Sequence, residues 1–140
     1  MRLIKEINET VEYITEEKDG KKDLYIVGPF LQAERVNRNG RKYMSNVMEN
    51  EVSRYNSSHI SKNRAFGELG HPDTPTINLD RVSHMIVGLQ REGNDWIGRA
   101  KILDTPFGNI ARSLIEAGAQ LGVSSRGMGS LKNVNGVNIV

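Results

Sequence analysis

Two apolar segments separated by a short polar turn constrain this chain more than any other feature of its sequence. The segments occupy residues 82–89 and 96–103, and the connection between them reads Gln-Arg-Glu-Gly-Asn-Asp. So short a connection containing glycine is typical of two antiparallel strands. The second segment also has two alternating sets of positions, one with Trp96 and Ile102 and the other with Arg99. A repeat of two residues is the period of a strand, whose successive side chains point to opposite faces. The sequence therefore predicts a β-hairpin over residues 82–103.

A helix is predicted on each side of this hairpin. Residues 45–55 carry apolar side chains at helical spacing, and Ser45 is the candidate N-cap. A second helix is predicted from Thr105, the N-cap, to about residue 117. Its predicted apolar face consists of Ile110, Leu114, Ile115 and Ala117.

The N-terminal residues differ in composition from the rest of the chain. Residues 1–23 are rich in Glu and Lys, and we interpret them as an N-terminal arm ahead of one folded domain at 24–140. The isoleucines of the arm recur at near-helical spacing. Either a short docked helix or a frayed tail is therefore expected.

The composition excludes several kinds of site. The 140 residues include no cysteine, so disulfides, thiolate zinc sites and a cysteine nucleophile are excluded. Lys and Arg number 19 against 17 Asp and Glu, and this net charge of +2 does not favour nucleic acid. No apolar run approaches the roughly 20 residues of a membrane span. The sequence contains no characteristic metal-ligand or phosphate-loop spacing. We therefore expect no cofactor, no metal and no membrane or nucleic-acid partner.

Two short motifs carry groups suited to acid–base and nucleophilic chemistry. Gly-Val-Ser-Ser-Arg-Gly at 122–127 places Ser124 among glycines, which let a ligand approach backbone N–H groups. Gly-Glu-Leu-Gly-His-Pro at 67–72 places His71 at the end of a short predicted strand, where an imidazole can act as a general base. A glycine-rich strand edge and an ordinary loop histidine explain the same residues, so the motifs alone leave both interpretations open.

In combination, these segments resemble the prohead (procapsid maturation) serine proteases of T-even-like tailed bacteriophages. Four motifs in the same order carry the resemblance, at residues 24–39, 67–72, 93–100 and 122–131. The family is similar in fold to the herpesvirus assemblins. The resemblance therefore implies an α+β fold, with a small, mostly antiparallel β-barrel-like core flanked by helices, and makes 24–140 the protease domain.

The resemblance also implies the roles of the site residues. His71 matches the catalytic base and Ser124 the nucleophile of a serine endopeptidase, with Ser125 as the competing assignment. The backbone amides near Arg126 and Gly127 are the best local candidates for an oxyanion site, which the Arg126 side chain could assist.

The third catalytic residue is not evident, because no Asp, Glu or His follows Ser124. Glu68 and Asp80 are the convenient upstream substitutes. If the third member normally lies downstream of the serine, this chain is a truncated or processed form, and we expect it to end before that residue. Losing the orienting member of a triad costs about 10⁴ in rate, which would leave the form nearly inactive.

The resemblance further implies a place of action and substrates. Such an enzyme works inside the phage prohead, in the host bacterial cytoplasm, and cleaves scaffold proteins, capsid proteins and itself after Glu. The oligomeric state stays open. The alternative is a non-catalytic structural phage protein, such as a tube or capsid-associated subunit on the same barrel. A structural subunit would need neither His71 nor Ser124.

Overall fold

Strands predominate among the described residues, which also include one α-helix ahead of residue 60 and one after residue 105. The computed structural model describes residues 2–8, 11–37, 39–70, 76–129 and 132–140, of which 2–8 and 125–129 are described by their backbone alone. The elements in these ranges follow as β1 (Arg2–Asn8), β2 (Glu12–Lys18), β3 (Lys21–Gln32), β4 (Arg41–Lys42), α1 (Ser45–Ser58), β5 (Phe66–Glu68), β6 (Val82–Glu92), β7 (Asp95–Ile102), α2 (Pro106–Glu116), β8 (Val123–Gly129), β9 (Lys132–Val134) and β10 (Val137–Ile139). Short 3₁₀ turns occupy Ile60–Lys62 and Leu79–Arg81. Neither α-helix in this part of the chain is long and apolar enough to cross a membrane.

The strands pair into three sheets. The largest has the order β2-β3-β7-β6-β5, and all its pairs are antiparallel. β1 pairs antiparallel with β8, and β10 lies between β4 and β9, parallel to β4. The α+β class and the mostly antiparallel pairing are therefore confirmed. The described strands form separate sheets and not the closed barrel that a barrel-like core suggests.

The predicted hairpin is confirmed as β6 and β7, joined through Gly93 and Asn94. Residues of β7 alternate between buried and half-buried, and Trp96 is the largest fully buried side chain. Gly98 lies on the buried side, where a Cβ would overlap the Phe30 ring of β3. The core therefore lies on this face of the sheet, and Met48 and Val52 of α1 belong to it.

The expectation of a helix or a frayed tail in residues 1–23 is wrong, because the described residues of this range form β1, β2 and the start of β3. Asp19 and Gly20 both have positive φ, and Lys18 pairs with Lys21 across them. This is the two-residue turn whose twist matches that of a hairpin. The division into an arm and a protease domain at residue 23 stays a prediction.

Helix α1 occurs where it was predicted but is capped differently. Met44 occupies the N-cap position, so Ser45 is the first helical residue and not the cap. The Ser45 N–H donates instead to Oε2 of Glu34, at 2.6 Å. A carboxylate at this end also faces the partial positive charge of the helix N-terminus. A distant side chain has therefore replaced the local cap.

Helix α2 confirms the predicted cap but only part of the predicted apolar face, of which Ile115 is half-buried and packs against the core. Thr105 Oγ1 accepts a hydrogen bond from the Gly108 N–H. Ile110 and Leu114 are 48% and 42% exposed, whereas Gly108 and Ala111 are buried. A Cβ at Gly108 would overlap the Leu103 carbonyl oxygen, so the helix approaches the sheet through its small residues. This close approach turns the two larger side chains toward solvent.

We expect Ile110→Ala and Leu114→Ala each to change the free energy of unfolding by less than about 1 kcal/mol, because both side chains are already largely solvated. Ile102→Ala, at a site only 2% exposed, should cost about 2–5 kcal/mol. Urea unfolding of the three variants measures this difference. A cost above about 2 kcal/mol at Ile110 or Leu114 would contradict the assignment of the outer face.

Candidate active site

The serine pair of the Gly-rich motif lies at the start of β8. Ser124 is half-buried, and in the register with β1 it lies opposite Ile7, while Ser125 lies opposite Glu6. Successive positions of a strand belong to opposite faces of its sheet. The two serines therefore hold non-equivalent positions, and only one of them can serve a given face.

The chain leading into β8 is held by a tyrosine from β2. The Tyr13 hydroxyl donates to the Leu121 carbonyl oxygen and accepts from the Leu121 N–H, each at 2.6 Å. Tyr13 also packs against the core. Because Leu121 lies three residues before Ser124, this pair of bonds fixes the entry to the serine strand. The sequence motifs gave no indication of this contact.

The oxyanion candidates lie on the same strand. Arg126 and Gly127 occupy consecutive positions of β8, opposite Lys5 and Ile4. Consecutive N–H groups of an extended strand point to opposite edges, because ladder bonds alternate along it. At most one of these two amides can therefore face away from β1, so the pair does not provide two donors at one edge.

His71 falls within residues 71–75, outside the described ranges, but both flanks of its segment are described. The Glu68 side chain, before it, is completely buried, and its Oε1 accepts the Asn78 N–H at 2.6 Å. Oε2 lies 3.7 Å from Nε of Arg81. Glu68 is thus an interior carboxylate engaged beyond the segment, whereas Asp80 is exposed on a 3₁₀ turn.

Behind Glu68, a second histidine supports β5. His84 of β6 lies opposite Gly67, and a Cβ at Gly67 would overlap the imidazole. Nδ1 of His84 is 2.8 Å from the hydroxyl of Ser83, a fully buried side chain. Burial lowers the pKa of His84 to about 4, so the ring is neutral near pH 7. His84 is therefore a half-buried, hydrogen-bonded residue of the sheet.

Comparisons with known proteins identify the family. The prohead core protein serine proteases match residues 4–140 of this chain. The chain belongs to that family. The prohead core protein protease of Enterobacteria phage T4 is 38% identical over 117 residues, which cover 82% of this chain and 55% of that protein. This chain therefore spans about half the length of that curated relative.

The fold is also similar to that of a solved phage protease. The bacteriophage T4 capsid assembly protease, gp21, superposes with a TM-score of 0.90 at 34% identity, over 99% of this chain and 88% of that chain. The resemblance inferred from the four motifs is thus confirmed. The family match includes His71 and Ser124, whose individual roles stay predictions, as does the choice between Glu68 and Asp80.

We expect the stability of this prohead protease family member to fall as pH decreases from about 6.5 to about 4. Burial lowers the pKa of His84 in the folded state, so the unfolded chain binds a proton at a higher pH than the folded chain does. The free energy of unfolding therefore decreases as pH falls between the two pKa values, and it levels off once the folded state also binds the proton. The shift corresponds to about 3 kcal/mol. Comparing urea unfolding of wild type and His84→Gln at pH 7 and pH 4.5 isolates this contribution. Equal pH dependence in both proteins would contradict it.

Proposed function

We propose that this chain is a serine endopeptidase of the phage prohead, with Ser124 as nucleophile and His71 as general base. The observation that carries the proposal is the family match across residues 4–140, which spans both motifs. The local setting of Ser124 agrees with this role. It lies at the start of a glycine-containing strand, half-buried, just after the Leu121 anchor.

The proposed reaction follows the general logic of serine proteolysis. His71 accepts the Ser124 hydroxyl proton as Oγ bonds to the substrate carbonyl carbon, and that proton then passes to the amine as the peptide C–N bond breaks. Water attacks the acyl-enzyme, His71 takes the proton of the water, and the Ser124 Oγ–carbon bond breaks, with the serine recovering a proton. A β8 amide facing away from β1 is the proposed donor to the oxyanion.

The proposed substrates and location rest on similarity to the T4 proteins. The T4 relative is a prohead core protein protease, and the T4 protein of the solved structure is a capsid assembly protease. We propose that this chain likewise acts inside the prohead, within the host bacterial cytoplasm. Its substrates there would be scaffold proteins, capsid proteins and copies of itself.

We expect Ser124→Ala to abolish labelling by a fluorophosphonate and cleavage of scaffold protein, because it removes the attacking oxygen. Ser125→Ala should keep measurable activity. His71→Ala should lose activity by a factor of at least about 10³, since no base would then accept the serine proton. Mass spectrometry of the labelled peptide and of the scaffold fragments measures both effects.

His59→Ala is the matched control, because His59 stacks on Tyr55 of α1 and takes no part in the proposed reaction. A labelled Ser124→Ala together with an inert Ser125→Ala would move the nucleophile by one residue. A wild-type chain no more reactive than Ser124→Ala would favour the non-catalytic structural subunit.

We expect self-processing between β1 and β2. The resemblance implies cleavage after Glu with Ile or Leu two residues before it, a pattern found in the N-terminal arm at Glu6, Glu9 and Glu16 and again at Glu116. Glu16 lies in paired β2 and its carboxylate binds Arg99, and Glu6 lies in paired β1. Proteases cut paired strands poorly. N-terminal sequencing should therefore give Thr10 as the new first residue, and a first cut after Glu116, the last residue of α2, would contradict this.

A further inference from the structure

The Tyr13 hydroxyl bonds to both main-chain groups of one residue ahead of the serine strand. It accepts the Leu121 N–H and donates to the Leu121 carbonyl oxygen, each at 2.6 Å. Leu121 lies between α2 and β8, in neither helix nor strand. A phenol hydroxyl both donates and accepts, so a single side chain can bond to the two groups. Tyr13 therefore takes the place of a strand partner for Leu121.

The tyrosine itself has a fixed place in the large sheet. Tyr13 of β2 lies opposite Ile26 of β3, a buried core residue, and its ring packs against the same core. The pair formed by β1 and β8 belongs to a different sheet. The Tyr13 hydroxyl thus connects the large sheet to the chain that enters β8.

The start of β8 is held by two kinds of contact. Val123 packs against the core, but apolar contact has no preferred direction and does not by itself fix a position. The hydrogen bonds at Leu121 have preferred lengths and angles. Leu121 lies three residues before Ser124, so the two Cα atoms are no more than about 11 Å apart. The bonds of Tyr13 therefore restrict the positions that the serine can take.

We infer that Tyr13 is a positioning residue for the nucleophile, whose hydroxyl keeps Ser124 Oγ at the distance from a bound substrate that the reaction requires. This role rests on the proposed function, in which Ser124 is the nucleophile. Tyr13 acts through Leu121, so it governs the rate of the bound complex and not the affinity. A misplacement of about 1 Å can cost about 10² in rate.

The test is saturation labelling of the full chain with a fluorophosphonate, in which Ser124 Oγ bonds to phosphorus, fluoride leaves and the serine proton passes to the base. Tyr13→Phe removes one oxygen and keeps the ring in the core. We expect it to lower the maximal labelling rate at least about tenfold and to leave the half-saturating concentration within about twofold. A lower labelled fraction with an unchanged rate per folded molecule would show a merely structural role and overturn the inference.

Tyr55→Phe is the matched control, because Tyr55 of α1 also packs against the core and the change removes the same atom. It should be labelled at the wild-type rate. An equal loss of rate in Tyr55→Phe would overturn the inference, because core packing and not the bonds to Leu121 would then set the rate.

Hydrogen exchange of the unsubstituted chain keeps the test decisive if Tyr13→Phe does not fold. The Leu121 N–H should exchange with deuterated water at least about tenfold more slowly than in the unfolded chain, because it donates to the Tyr13 hydroxyl. Exchange at the rate of the unfolded chain would overturn the positioning role.

The outcomes separate the two proposals. Labelling of Ser124→Ala at the wild-type rate would overturn the proposed function. If Ser124→Ala is inert but Tyr13→Phe is labelled at the wild-type rate, the positioning role alone is overturned.

Discussion

Strand β7 has a hydrogen-bonded neighbour on each edge, and its register determines where the rest of the large sheet lies. Trp96, Ala100 and Ile102 are buried on one face, and a slip of one residue would turn all of them to the other. β6 is thereby fixed, and β6 in turn places β5 through the contact of His84 with Gly67. The position of the Glu68 carboxylate, which follows Gly67 in β5, therefore depends on the packing of the apolar face of β7.

What could be predicted from the sequence is mostly what short-range chemistry determines. The β6–β7 hairpin and the Thr105 cap depend on residues within a few positions of one another, and both are confirmed. The strands of residues 1–23 were missed because apolar spacing is ambiguous in a segment with so many charges. The partner that decides β1 is β8, which lies more than 100 residues away. The local spacing of apolar residues does not indicate so distant a strand partner.

The candidate site could be predicted only in part, for the same reason. His71 and Ser124 stand out through their chemistry and their motifs, and the family is confirmed. Glu68 was named for its carboxylate alone, and only the fold reveals that it is buried and bonded to the Asn78 N–H. The Tyr13–Leu121 pair has no sequence signal, because a tyrosine in a charged segment resembles any surface residue.

The serine strand illustrates the consequence of such distant pairing. Glycine weakens a strand, and among the described strands β8 pairs only with β1. Bringing β1 to β8 closes a loop of more than 100 residues, whose entropy cost grows with the logarithm of length. Local hairpins that order the intervening chain shorten the loop that remains to be closed and so favour this contact. We therefore expect the Ser124 strand to acquire its final position only once the β3–β7–β6 sheet exists.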